Sequence, residues 1–357
     1  METAIGLDPT LRLSWDDQHL MAREAVGLGY TSAWTPSGPT ARDAFHICSE
    51  WNSATREVAA GGIGTGISVV PVPTWSPPVL ASLAGTVGEL TGGRFILGIG
   101  SGGIYSAEFQ RTWGKPAYPP IAMMREYVST IRALLAGENI DHEGPSVSLH
   151  GVQLSFRPPS VPVFLGALGP QMLRLAGEVA DGAALNWCTP EQVAVSRERV
   201  DAGARKAGRD PLEVRLAEYI RICVDDDVTR ARRAYTRAAM GYALGRVPGA
   251  SQSGYRAHFG RMGYDDELKR IEEGRAKGMP EDEVIDAFPE QMLRAVGYYG
   301  PAAGAAEAFR RLSAGLDIAI VRVVASRPGV DSVRAVMQAC APQSVASAER
   351  AATRRSI

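Results

Sequence analysis

The chain lacks most of the side-chain clusters that announce a chemistry. Its four cysteines, Cys48, Cys188, Cys223 and Cys340, lie far apart in 357 residues and form no CxxC pair. That excludes a disulfide framework and a paired-thiolate metal site, and predicts free thiols in a reducing cytoplasm. The five histidines make no HExxH motif. His142 beside Glu143, in the loop "IDHEGP", is not a metal site by itself, so no metal is expected. There is no GxxxxGK[ST] phosphate loop, and "GIGSGG" lacks the first glycine of a GxSxG nucleophile elbow. Charge of either sign is not in excess: 38 basic residues face 39 acidic ones. A balanced chain has no long-range field for nucleic acid or an anionic membrane. No run of about 18 apolar residues exists, so no membrane span is expected. The first ten residues, "METAIGLDPT", have no basic segment or apolar stretch of a signal peptide.

What is present is a regular alternation. Short apolar runs at Ala4–Leu7, Ser32–Thr35, Ile63–Ser68, Phe95–Ile99, Val163–Ala167, Ala183–Asn186, Val214–Val224 and Ile318–Val324 read as eight strands. Helical patterns separate them. Ser14 with Asp17 forms a capping box for a helix running to about Leu28. Pro77 and Pro78 open another, which shows Leu80, Leu83 and Val87 on one face. Residues 301–316 read as the last long helix. Eight β units joined by helices predict an α/β fold, a single (β/α)8 TIM barrel over residues 1–340. Residues 341–357 read as a polar tail. Two connections, after strands 4 and 7, are too long for a minimal barrel and predict insertions at the active-site rim or at a subunit interface.

In a barrel of this kind the informative residues follow the strands. Here they are Asp8; Thr35, Pro36 and Ser37; Gly66, Ile67 and Ser68; Ser101, Gly102 and Gly103; Ala167, Leu168 and Gly169; and Asn186 with Trp187. The set is rich in glycine and small polar groups and poor in charge. It suits a large planar ligand lying against backbone, with a phosphate at the helix start after Gly169. "GIGSGG" formally matches GxGxxG, but no good helix follows it, which argues against a dinucleotide fold. Turn glycines with no ligand at all, Asp8 as a loop cap and Trp187 as plain core are the readings that need no function.

"LTGGRFILGIGSGG" (90–103) resembles a segment of the luciferase-like flavin-dependent oxidoreductases. "GIGTGISVVPVPTWSPPVLASLA" (62–84) and "VFLGALGPQMLRLAGEVADGAALNW" (163–187) extend the likeness, and "SAWTPSGPTARDAF" (32–45) is most similar to the subgroup that uses the deazaflavin coenzyme F420. The resemblance implies a barrel that binds reduced F420, or FMN as the alternative, at its C-terminal rim. It implies that Ala167, Leu168 and Gly169 bind phosphate through backbone. It implies that Ser101, Gly102 and Gly103 border the ring and its ribityl chain, and that a non-prolyl cis bond lies at Gly66–Ile67. Sugar-phosphate dehydrogenases of the family carry an Asp-His pair where this chain has Pro36 and Ser37. Reductases place an acidic residue where it has Asp8. The expectation is therefore hydride transfer between reduced F420 and a small organic substrate, with Asp8 and Ser37 as the candidate catalytic pair. The alternatives are a two-component FMN-dependent monooxygenase served by a separate flavin reductase, and a binding protein that has lost its cofactor. A homodimer is the family expectation.

Overall fold

The computed structural model describes residues 1–102, 107–114, 118–244 and 254–355. Eleven strands are described: β1 (Glu2–Gly6), β2 (Ser32–Thr35), β3 (Gly64–Pro71), β4 (Phe95–Gly100), β5 (Ile140–Glu143), β6 (Ser148–Val152), β7 (Val163–Gly166), β8 (Gly182–Asn186), β9 (Arg215–Val224), β10 (Gly297–Gly300) and β11 (Ile318–Val323). Eight of them pair in parallel in the order β9-β11-β1-β2-β3-β4-β7-β8, and β8 pairs back to β9. The sheet therefore closes into the expected (β/α)8 barrel, and its eight strands are the eight apolar runs.

Local signals set the helices between them. The Ser14 hydroxyl accepts the Asp17 N–H at 3.1 Å, and the helix Trp15–Gly27 follows. Helix Pro77–Leu90 begins at its two prolines and ends before Gly92, whose φ is 62°. Residues 301–316 hold a 3-10 turn at Ala302–Gly304 and an α-helix over Ala305–Leu312, which is not the last. Helices Val330–Ala339 and Pro342–Arg355 follow β11, and Val345 of the polar segment is buried. The β4–β7 connection carries the antiparallel β5–β6 hairpin. The β9–β11 connection carries several helices and β10, which pairs with β9 from Arg221 to Val224. No described helix is long and apolar enough to cross a membrane.

Inside the barrel, aromatic rings do the filling and glycines make the room. Ala4, Trp34, Phe164, Ala217, Tyr219, Ile318 and Ile320 form the interior cluster. A Cβ on Gly66 would stand 2.5 Å from the Trp34 ring, and one on Gly182 would stand 2.6 Å from the Phe164 ring. Close packing allows neither. Gly66 is thus an interior packing position in the body of β3, opposite Trp34 and Ile96 in register.

Candidate active site

All eight barrel strands run parallel, so the residues after them share one mouth. Side chains alternate between the barrel interior and the helix layer. On β1 this sends Gly6 and Asp8 inward, on β8 Ala184 and Asn186, on β9 Tyr219 and Arg221, and on β11 Ile320 and Arg322. Thr35 and Ile67 fall on the other face and are fully buried. Thr35 lines a cavity of about 290 Å³ together with Leu7, Asp8, Leu13 and Ile47.

The non-prolyl cis bond is Ser68–Val69, two residues beyond the expected Gly66–Ile67. The β3–β4 register shifts between Ile67 and Val70, so the bulge lies there, while Gly66 stays in regular pairing. The bulge explains the glycines that drew attention to 98–103. A Cβ on Gly98 would run into the Ile67 carbonyl oxygen. One on Gly100 would stand 2.8 Å from Val69, one on Gly102 2.9 Å from Pro71, and one on Gly166 3.3 Å from Val69. Their missing side chains face residues 67–71, not open space. The glycines are the floor on which the bulge is seated. The Ser37 N–H reaches the Val69 carbonyl at 3.4 Å, tying the loop after β2 to the same feature. Ser101 is half-buried at the exit of β4, and Pro36 is half-buried beside Ser37. Gly103 lies outside the described residues.

The segment after β7 meets only part of its expectation. The Ala167 N–H is taken by the Ala184 carbonyl at 3.1 Å, as part of the sheet, so it is not free for a phosphate. Gly169 caps helix Pro170–Val179 with no side-chain hydrogen bond. The N–H groups of Gln171 and Met172, in the first turn, have no intrahelical acceptor. Space around the Gly169 Cα is open, with nothing within 4 Å of a Cβ built there. Arg261, from the β9–β11 connection, lies over this turn with its Nη2 at 3.4 Å from the Leu168 carbonyl oxygen. Sequence reading missed Arg261, because its neighbourhood is defined only by the folded insertion.

Asp8 is buried and paired with Arg322. Its Oδ1 also accepts the Thr10 N–H at 2.6 Å. It is therefore a loop cap and a charged group of the mouth at once. Burial pushes Arg322 down to about 10, which leaves it charged at neutral pH. The guanidinium also lies over the Tyr219 ring, 4.6 Å from its centroid.

Asn186 opens a second cluster. β8 ends there, and the chain turns away at Trp187, whose φ is 60°. β9 continues past it. The Arg221 side chain fills the notch, stacked on the Trp187 ring at 3.8 Å. Its Nη1 donates to Asn186 Oδ1 at 2.6 Å, and Asn186 Nδ2 donates to the Tyr255 hydroxyl at 2.7 Å. On the opposite face of β9, Glu218 Oε1 accepts the Cys188 N–H at 2.7 Å, which pins the turn. Burial raises the Glu218 carboxyl to about 8. His258 Nε2 meets the Trp187 carbonyl oxygen at 2.9 Å, and burial lowers the imidazole to about 4. Trp187 is core, as the reading without function had it. No group of three or more His, Cys, Asp or Glu among the described residues is placed to hold a metal ion.

A helix start with open N–H groups, a bulge at the end of β3 and a rim with few carboxylates lie at the mouth of the barrel. The model of the luciferase-like monooxygenase family matches residues 3–319, and the chain belongs to that family. It is 34% identical over 227 residues to the 5,10-methylenetetrahydromethanopterin reductase of Methanolobus tindarius, a stretch that is 64% of this chain and 66% of that one. It is 32% identical over 238 residues to the reductase of the same name from Archaeoglobus fulgidus, covering 66% and 68%. The chain thus spans about two thirds of the length of these relatives. Among solved structures, the coenzyme F420 dependent tetrahydromethanopterin reductase from Methanopyrus kandleri superposes with a TM-score of 0.77 over 97% of this chain and 99% of that one, at 22% identity.

Proposed function

We propose that the protein is an oxidoreductase that binds the deazaflavin coenzyme F420 across the barrel mouth and exchanges hydride with a small organic substrate. The observation that carries this reading is the glycine-floored bulge at 67–71, which touches Gly166 at the end of β7, the strand that leads to a helix start with free N–H groups and a nearby arginine. A flat tricyclic ring fits against the backbone of Ser68 and Val69. Its phosphate fits the Leu168–Met172 turn, where the helix dipole and Arg261 both favour an anion. The family membership and the reductase relatives support the same reading. When bound, the coenzyme supplies the hydride chemistry.

The chain's own residues then bind and orient. Gly169 leaves room for the phosphate. Ser101, Gly102 and Ser37 border the ring beside the bulge, and Pro36 closes the β2 side. Asp8, paired with Arg322 and fixed by the Thr10 N–H, places a carboxylate at the reactive face. There it orients the substrate or accepts a proton from it. Fluorescence titration with F420 and with FMN tests the assignment. A micromolar dissociation constant for F420 and none for FMN is the expected result. The reverse pattern replaces this reading with an FMN-dependent monooxygenase.

A further inference from the structure

The mouth has one more positive charge than its neighbouring carboxylates balance. Arg221 and Arg322 are register partners on the adjacent strands β9 and β11, and both point inward. Two arginine side chains thus start from one level of the barrel, Arg221 reaching Trp187 and Tyr242 and Arg322 reaching Asp8 and Tyr219. Asp8 neutralises Arg322. Arg221 is 2% exposed, and its Nη2 has no hydrogen-bond partner among the described residues. Its partners are neutral: the Asn186 amide, the Trp187 ring at 3.8 Å and the Tyr242 ring, 5.0 Å away. Glu218 lies on the other face of the strand. Its one bonded oxygen serves Cys188, no hydrogen bond joins it to Arg221, and burial raises its carboxyl against the opposing pull of the Cys188 N–H and the Arg221 charge. A guanidinium cannot shed its proton in a protein, and a buried charge without a counter-charge is costly. Stacking on Trp187 offsets part of that cost and fixes the direction of the free N–H.

We infer that Arg221 is a substrate-recognition residue, and that the substrate carries an anionic oxygen, a carboxylate or phosphate, which docks on its free Nη2. This rests on the mouth being the cofactor and substrate site proposed above. Asn186 is a positioning residue: it holds one arm of the fork so that the other faces the ligand. The Tyr255 hydroxyl, which burial pushes up to about 12, stays protonated and steadies Asn186 in turn.

The same geometry supplies a near-isosteric test. Asn186→Asp would place the missing counter-charge inside the protein, one oxygen accepting from Arg221 and the other from the Tyr255 hydroxyl. Benzoate is the probe, benzamide its uncharged match, and calorimetric titration the readout, on the full chain with and without F420. The wild type is expected to bind benzoate in both states and benzamide at least about tenfold more weakly. Asn186→Asp should melt at or above the wild-type temperature and bind benzoate at least about tenfold more weakly. Arg221→Met should lose benzoate equally. The inference is overturned if either variant that folds binds benzoate as the wild type does, if Asn186→Asp melts lower, or if neither benzoate nor inorganic phosphate binds the wild type. It is also overturned if F420 abolishes benzoate binding, since Arg221 would then serve an acidic group of the coenzyme. Failure to bind F420 with normal benzoate behaviour would sink the cofactor assignment and leave Arg221 as argued.

Discussion

Replacing Asp8 by Asn separates what this residue does for stability from what it does for turnover. The substitution keeps the size and the acceptor for the Thr10 N–H. It removes the only carboxylate bonded to Arg322 among the described residues. Asp8 and Arg322 are 7% and 8% exposed, so solvent screens the pair weakly. Removing one partner of a buried pair leaves the other charge uncompensated, at a cost of about 3–5 kcal/mol. Removing both is nearly neutral by the same argument. Asp8→Asn should therefore lower the unfolding free energy by that amount, read as a lower urea midpoint with an unchanged denaturant slope. Arg322→Met should do likewise, and the double variant should recover most of the loss. Turnover with reduced F420 should be low in all three. A loss below about 1 kcal/mol in Asp8→Asn, or a double variant as unstable as the sum of the singles, would refute the reasoning, because the pair would then not be a buried unit. Full turnover in the recovered double variant would show that Asp8 has no part in the chemistry.

Other perturbations bear on the remaining features. Gly169→Asp puts bulk and a like charge into the open phosphate turn, and F420 affinity should fall tenfold or more, about 1.4 kcal/mol; unchanged quenching in a folded variant places the phosphate elsewhere. Gly100→Ala should cost about 1–3 kcal/mol by pressing on Val69, and Val69→Ala in the same chain should restore stability; no restoration would remove the floor-and-bulge account. Glu218 is raised to about 8 by burial, so between its unfolded value and pH 8 the folded state holds a proton that the unfolded state has lost. Stability should fall as pH rises through that window, and Glu218→Gln should flatten the fall in a melting-temperature profile. His258, lowered to about 4, acts oppositely, and its contribution should vanish as pH falls from 6 toward 4. Product formation with reduced F420 should proceed without air; product found only in air, carrying an oxygen atom from O2, would favour the monooxygenase chemistry.

The barrel was legible because each strand is a short apolar run bounded by turn residues, and each run needs a helix to cover it. β10 was not: "GYYG" is four residues that begin and end in glycine, and it pairs only because β9 outlasts β8. The mouth was legible as a set of positions and not as a set of roles. Period-two alternation puts Asp8 and Asn186 inside and Thr35 and Ile67 outside, but it needs the strand phase, which a one-residue error inverts. The glycines misled in a particular way. Gly98, Gly100, Gly102 and Gly166 do signal a close approach, yet what approaches is the chain's own segment Ile67–Pro71: the Ile67 carbonyl at Gly98 and the Val69 and Pro71 side chains at the others. A missing Cβ in a sequence says that something comes near, and only the fold says what.

Arg221 and Arg322 make the complementary case. In sequence they are 101 positions apart, each inside an apolar run, "YIRICV" and "IVRVVA". A lone arginine in such a run reads as an interruption to be buried against some acidic partner. Closure of the barrel makes the two register partners on adjacent strands, and the neighbouring charges can then be counted. Asp8 is bonded to one of them, and no described carboxylate is bonded to the other. A net charge of −1 over the whole chain hides this local excess entirely, because composition averages over distances far longer than the few ångströms across which a buried guanidinium must be answered. The specificity of this mouth therefore resides in an imbalance between positions that no linear motif connects. It is also why a single amide-to-carboxylate change at Asn186 can probe it.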